Sequence, residues 1–89
     1  MTESRRQTLL RERLTQAFAP LELDIEDESH RHAGHAGAKD GRGHFRVRIV
    51  AAAFRDVAPL ARHRLVYAAV DDLLQSDIHA LSIEAMPPA

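Results

Sequence analysis

The sequence predicts an α+β domain, a two-layer sandwich with a mixed three-stranded sheet and helices on one face, in the order α-β-β-α-β. Two observations support this prediction. Apolar residues recur at helical spacing in two segments and alternate with polar residues in three shorter ones. The last alternating segment directly follows the second helix, so a crossover connection and a parallel strand pair are expected. At 89 residues the chain is predicted to be one domain, with a core over about residues 5–86.

The first helix is predicted over residues 4–18. Ser4 can serve as its N-cap, and Leu10 and Leu14 stand at helical spacing within it. Pro20 is expected to end it, because proline lacks the backbone N–H that would continue the helix.

Two strands are predicted next, each with apolar and charged residues in alternation. Apolar positions on the inner face are Leu21, Leu23 and Ile25 in the first strand, and Phe45, Val47 and Ile49 in the second. Outward positions are Glu22, Asp24 and Glu26 in the first strand, and His44, Arg46 and Arg48 in the second. Acids opposite bases are typical of neighbouring antiparallel strands, where such pairs contribute a few tenths of a kcal/mol.

The remaining elements follow from glycine, proline and periodicity. All four glycines lie in a loop predicted over about residues 30–43. After a turn around Asp56, a second helix is predicted to begin at Pro59 and to end near Ser76. Its predicted buried stripe comprises Leu60, Val66, Ala69, Val70, Leu73 and Leu74. The third strand is predicted over residues 78–86, followed by a short tail, residues 87–89.

Composition excludes several classes of protein. The chain contains no cysteine, so it has no disulfide framework and no thiolate ligands of its own. No apolar run approaches the roughly 18–20 residues of a membrane span, and early arginines make a signal peptide unexpected, so we expect a cytoplasmic protein without membrane contact. The net charge of −1 argues against a dedicated nucleic-acid binder, although six arginines lie between Arg42 and Arg64.

The histidines have plain structural interpretations. Strand alternation places His79 with Leu81 on the inner face, as a histidine at the edge of the core. His63 lies between two arginines but shares a helical face with Val66 and Val70, which predicts a buried hydrogen bond. His32 would be a solvated loop residue, and His44 a residue at the rim of the sheet.

Four stretches together resemble the BolA family, over about Arg5 to Met86. They are Asp27-Glu28-Ser29-His30-Arg31-His32, His44-Phe45-Arg46-Val47, Arg62-His63-Arg64 and Ile78-His79-Ala80-Leu81. The resemblance implies a KH-like fold of the second topological type. It also assigns the Arg-His-Arg stretch either to fold maintenance or to a partner surface, so His63 is expected to be a structural or interface residue.

The resemblance implies a non-enzymatic adaptor that shares a [2Fe–2S] cluster with a monothiol glutaredoxin. His79 corresponds to the family's cluster ligand, and His32 to its second, less constant ligand. His35 and His30 are possible substitutes for His32 in the same loop. The partner's cysteine and a glutathione thiol would supply the other two ligands, so the isolated chain is expected to hold no cluster.

An alternative from the same family is a KH-like transcriptional regulator, active in stress response, that binds DNA. Arg55, Arg62 and Arg64 would then contact phosphates. KH domains grip the nucleic-acid backbone with a Gly-x-x-Gly loop, and residues 54–59 contain no glycine. A third interpretation is a protein-interaction domain without metal. Spacing alone supports no set of catalytic residues, so no enzyme is predicted.

Overall fold

A computed structural model of the chain describes residues 3–28 and 43–89. Its elements are α1 (Arg5–Phe18), β1 (Glu22–Asp27), β2 (Gly43–Val50), a short 3₁₀ helix (Ala52–Phe54), α2 (Pro59–Ala69), α3 (Asp71–Ser76) and β3 (Ile78–Met86). The strands form one sheet in the order β1-β2-β3. β1 is antiparallel to β2, and β3 is parallel to it. The predicted α+β fold with a mixed sheet is therefore confirmed.

α1 begins and ends where the sequence predicts. The Ser4 hydroxyl accepts a hydrogen bond from the Gln7 backbone N–H at 3.2 Å, and the Gln7 side-chain oxygen accepts one from the Ser4 N–H at 2.9 Å. This reciprocal capping box satisfies two N–H groups that a helix start otherwise leaves unpaired. Ala19 adopts a left-handed conformation, with φ of 45°, and terminates the helix before Pro20.

The sheet has one apolar face and one charged face. Phe45, Val47 and Ile49 of β2 are almost completely buried, as predicted, whereas Arg46 between them is exposed. The inner face packs against α1, α2 and α3. Completely buried core residues from outside β2 are Leu10, Leu14, Ala51, Phe54, Val66, Val70 and Ile78. The opposite face carries no helix among the described elements, and we call it the open face.

The predicted second helix is divided in two at Val70. This residue has φ of −120° and ψ of 18°, outside helical geometry, and α3 begins directly after it. Asp71 and Asp72 lie in the first turn of α3, where carboxylates interact favourably with the helix dipole. The apolar spacing continues through the break, which is why periodicity predicts a single helix. None of the helices in the described ranges has the length and apolar character needed to span a bilayer.

Two apolar residues predicted to be buried are exposed. Leu21 is 70% exposed because β1 begins one residue later, at Glu22. Leu60 is 64% exposed because the first turn of α2 is itself exposed to solvent. The other members of the predicted stripe, from Val66 to Leu74, are buried or half-buried.

Helix side chains bond to the backbone of both outer strands. On β1, the carbonyl oxygens of Leu23 and Ile25 accept hydrogen bonds from Arg11 at 3.3 Å and from Gln7 at 3.2 Å. On β3, the carbonyl of Leu81 accepts one from the Tyr67 hydroxyl at 2.8 Å, and that of Ala85 accepts one from Arg62 at 3.2 Å. Occupied carbonyls make an outer strand a poorer template for pairing with another chain.

Candidate functional site

His79 is the extra residue of a β-bulge between β2 and β3. Gly43 is paired with Ile78, but the next residue, His44, is paired with Ala80. The bulge reverses the alternation of side chains along β3. Ile78 is therefore completely buried, whereas His79 is exposed. The prediction that His79 shares the inner face with Leu81 is wrong, because simple alternation does not account for the inserted residue.

The bulge places the imidazole of His79 beside that of His44. Their ring centroids are 5.1 Å apart, and the ring planes are inclined by 51°. His44 is only 9% exposed, although it lies on the strand face opposite Phe45, as predicted. The sequence predicts His44 at the rim of the sheet and gives no sign of its pairing with His79, since the pairing depends on a register between strands far apart in sequence.

His30, His32 and His35, the other candidate ligands, lie outside the described residues. The ends of that segment are nevertheless defined by the strands. The Glu28 N–H donates to the His44 carbonyl at 2.8 Å, and the Gly43 N–H donates to the Asp77 carbonyl at 3.0 Å. Glu28 and Gly43, which flank the segment, therefore both lie at the end of the sheet that carries His44 and His79.

No group of three His, Cys, Asp or Glu side chains that could hold a metal ion occurs within residues 3–28 and 43–89. What this part of the chain provides is the pair of imidazoles. Imidazole is a common ligand for zinc, copper, nickel and iron, including one iron of mixed-ligand [2Fe–2S] centres.

The open face beside this pair is charged but internally neutralised. Arg48 contacts three acids on both neighbouring strands: Glu22 at 3.2 Å, Asp24 at 3.8 Å and Glu84 at 3.7 Å. Asp24 stands opposite Arg48 in the register, as the alternating charges predict. These acids lower the positive potential around Arg48, so the face is poorly suited to binding phosphate.

His63 is exposed on α2, so its predicted burial with Val66 and Val70 is wrong. The face of α2 that meets the sheet runs through Arg62, Val66 and Ala69, and Val70 lies beyond the end of the regular helix. The buried hydrogen bond expected of His63 is absent among the described residues. Its alternative assignment, to a partner surface, stays a prediction.

The three candidate phosphate-binding arginines do not form one surface. Arg55 and Arg64 are exposed. Arg62 is half-buried, and its guanidinium donates to the Val57 carbonyl at 2.7 Å and to the Ala85 carbonyl at 3.2 Å. Arg62 therefore ties α2 to β3, and its contact with phosphate stays a prediction.

The fold and the histidine pair define a small α+β domain with an imidazole exposed where its last strand begins. Comparison with known proteins identifies the family to which this domain belongs. A family model described as BolA-like protein matches residues 14–89, and the chain belongs to this family.

Several curated relatives are similar to the chain. SufE-like protein 1, chloroplastic/mitochondrial, of Arabidopsis thaliana is 46% identical over 85 residues, which are 90% of this chain and 23% of that protein. BolA-like protein 1 of Homo sapiens is 41% identical over 80 residues, 90% of this chain and 56% of the relative. The chain thus spans between about a quarter and somewhat over half of these relatives. Because plant relatives have organellar names, the cytoplasmic location stays a prediction.

Solved structures share the fold. The BolA domain of SufE1 from Arabidopsis thaliana superposes with a TM-score of 0.86 at 42% identity, covering 98% of this chain and 96% of that one. The solution structure of BolA1 from Mus musculus gives a TM-score of 0.79 at 38% identity, covering 99% of this chain and 69% of that one. The similarity therefore extends over the whole described fold.

Proposed function

We propose that this chain is a non-enzymatic adaptor that binds a monothiol glutaredoxin and shares a [2Fe–2S] cluster with it for iron–sulfur trafficking or iron and redox sensing. The observation that carries the proposal is the exposed imidazole of His79, which the bulge turns away from the core. A ligand to a cluster shared between two proteins must be reachable by the partner, and an inward His79 would not be.

The composition of the chain fits shared ligation. With no cysteine it can offer no thiolate, whereas [2Fe–2S] clusters are held by four thiolates or by a mixture of cysteine and histidine. His79 supplies one imidazole. His32 ranks first for the second, followed by His35 and His30. The glutaredoxin cysteine and a glutathione thiol complete the set.

Replacing thiolate by neutral imidazole changes what the cluster can do. Two imidazoles remove negative charge near iron and raise its reduction potential relative to an all-thiolate centre. His79 also has a defined place in the sheet, where its ring lies against that of His44. An adaptor with these properties would hold, sense or pass on a cluster without catalytic turnover.

The regulator alternative has less support from the described residues. Arg62 is bonded to two backbone carbonyls, and the turn after the 3₁₀ helix has Asp56 with φ of 60° where a phosphate-binding loop would favour glycine. Arg55 and Arg64 remain exposed. DNA binding through them should be weak, independent of sequence and steeply reduced by salt, because phosphate contacts release counterions. A sequence-selective complex that survives physiological salt would favour the regulator.

The adaptor proposal is tested by co-expressing the chain with a monothiol glutaredoxin in the presence of glutathione. We expect the two proteins to co-purify with visible absorption from a cluster. His79→Ala should abolish or strongly alter the visible circular dichroism while leaving the chain folded. Ser82→Ala, an exposed change on the same strand, is the matched control and should leave the spectrum unchanged. A spectrum insensitive to His79→Ala would remove His79 from the site.

A further inference from the structure

The outward face of α2 is apolar, although a helix on the surface of a domain usually presents polar residues to solvent. Among residues 3–28 and 43–89, most of the exposed large apolar side chains belong to α2, namely Leu60, Leu65 and Tyr67. α1 provides the comparison, since its exposed residues are polar except for Ala17. Apolar surface concentrated on one helix is typical of a binding surface.

Four exposed side chains of α2 lie on one side of the helix, and we call them the α2 stripe. They are Leu60, His63, Arg64 and Tyr67. Residues at these intervals of three, four and seven are neighbours on a helix surface. The opposite side of α2 is buried through Val66. α2 is therefore apolar on two sides, and the domain itself covers only one of them.

Hydrogen bonds to β3 hold α2 in place. Arg62 donates to the Ala85 carbonyl at 3.2 Å, and the Tyr67 hydroxyl donates to the Leu81 carbonyl at 2.8 Å. α2 thus runs antiparallel to β3 and begins at the end of the sheet opposite His79. Because the stripe is preformed, a partner that binds it does not have to order this helix first.

The charge of the α2 stripe indicates the chemistry of its partner. α2 contains two arginines and no acid, and Arg64 is the one exposed within the stripe, at the middle of the helix. A guanidinium between apolar side chains is complemented by a carboxylate on an apolar partner surface. Two copies packed through α2 about a two-fold axis would instead bring Arg64 against Arg64. Asp56 and Asp71, exposed near the two ends of α2, would repel anionic lipid.

We propose that the α2 stripe docks an amphipathic helix of a partner protein, one with apolar residues at helical spacing flanked by carboxylates. Its apolar residues pack on Leu60 and Tyr67, since side chains at these intervals form the ridges by which helices interdigitate. One of its carboxylates pairs with Arg64. This surface goes beyond the adaptor function, because it does not use His79 and its partner is a protein other than the glutaredoxin.

The test selects a library of displayed peptides of about 18 residues, long enough to form a helix, against the full-length chain. The most enriched peptide is then synthesised for binding measurements. We expect apolar residues at helical spacing and an excess of acids in the enriched sequences. Leu60→Ser and Arg64→Glu should each weaken binding of the peptide by about tenfold or more, while circular dichroism shows the chain still folded.

The matched controls are Leu21→Ser and Arg5→Glu, because both residues are exposed outside α2. They should change the affinity for the peptide by less than about twofold. The proposal is overturned if no peptide is enriched, if the enriched peptides are basic, or if the α2 variants bind as tightly as wild type.

Three further results would assign the α2 stripe to a different occupant and overturn the proposal as well. Dimerisation of the isolated chain that Leu60→Ser abolishes would assign it to a second copy. Binding to phosphatidylserine vesicles that Leu60→Ser abolishes would assign it to a membrane. Loss of the glutaredoxin complex in Leu60→Ser would assign it to the glutaredoxin. We expect none of these results.

Discussion

Arg62 has the sequence context of a phosphate-binding residue, but its surroundings in the structure are those of a residue that stabilises the fold. Lying between Ala61 and His63 in a basic stretch, it resembles a phosphate contact in the sequence. In the structure its guanidinium is directed inward, to the carbonyls of Val57 and Ala85. The sequence could not distinguish the two roles, because the carbonyl acceptors come from a turn and from a strand 23 residues away.

The structural role of Arg62 predicts a stability difference between two neighbouring arginines. Arg62→Met retains the aliphatic stem but leaves two carbonyls without their donor, so unfolding should become easier by about 1–3 kcal/mol. Arg64→Met, at an exposed position of the same helix, is the control and should change stability by less than about 0.5 kcal/mol. Urea denaturation measures both. Equal effects of the two substitutions on stability would contradict the structural role of Arg62.

The structural environment of His79 matters most for the proposed function, and it was the hardest to predict from the sequence. Alternation is a reliable guide only while each residue of one strand faces one residue of the next. One inserted residue at the Gly43/His44 step exchanges the faces, and no glycine or proline in β3 signals it. The family resemblance assigns His79 as a cluster ligand, which stays a prediction, whereas periodicity put its side chain on the wrong face.

At the scale of elements, bounds were predictable where a local signal fixes them. Ser4 and Gln7 define the start of α1 by bonding to each other, and β3 spans the predicted residues 78–86. The break at Val70 was not predictable from apolar spacing, because apolar residues at helical spacing face the core both before and after it. Such a break depends on how α2 and α3 each pack on the sheet.

The ion pair between α1 and α3 predicts a pH-dependent stability. The Arg13 guanidinium hydrogen-bonds to the Asp72 carboxylate and lowers the pKa of that group below its usual 3.8. Because the folded state binds this proton less readily than the unfolded state, the pair stabilises the fold above about pH 4. Its contribution is lost as the pH falls through the lowered folded-state pKa of Asp72.

Two asparagine variants measure this contribution. Asp72→Asn should be less stable than wild type near neutrality, and the difference should vanish in acid and shrink in high salt, because the pair is exposed. Asp71→Asn is the control, since Asp71 occupies the same helix start but accepts its hydrogen bond from Gln75, an uncharged side chain. A difference between Asp72→Asn and wild type that persists unchanged in acid would contradict the ion pair.

At the scale of the whole molecule, the fold brings one end of each of the three strands together. β1 ends, and β2 and β3 begin, at the same end of the sheet, where the rings of His44 and His79 are in contact. The helices cover one face of the sheet, and their side chains donate hydrogen bonds to carbonyl oxygens of both outer strands. Among residues 3–28 and 43–89, the surface near His79 that no helix covers is this end of the sheet and the adjoining open face.

This arrangement was predictable in outline from the order of elements, because a strand, a crossover and a parallel strand have few alternatives. The histidine pair within it was not. It requires the pairing of residues 35 positions apart in sequence together with a bulge. Sequence reasoning predicted a site at His79 and the loop, and the structure places His44 beside His79.

The central claim, that an imidazole of this chain ligates a shared cluster, is tested most directly by isotope labelling. The chain is produced with ¹⁵N-histidine and assembled with unlabelled glutaredoxin and glutathione, and the cluster is reduced for pulsed electron paramagnetic resonance. We expect strong ¹⁵N couplings from two histidines of this chain; His79→Ala should remove one of them, and Ser82→Ala should preserve both. A reduced cluster with no ¹⁵N coupling from this chain would contradict imidazole ligation.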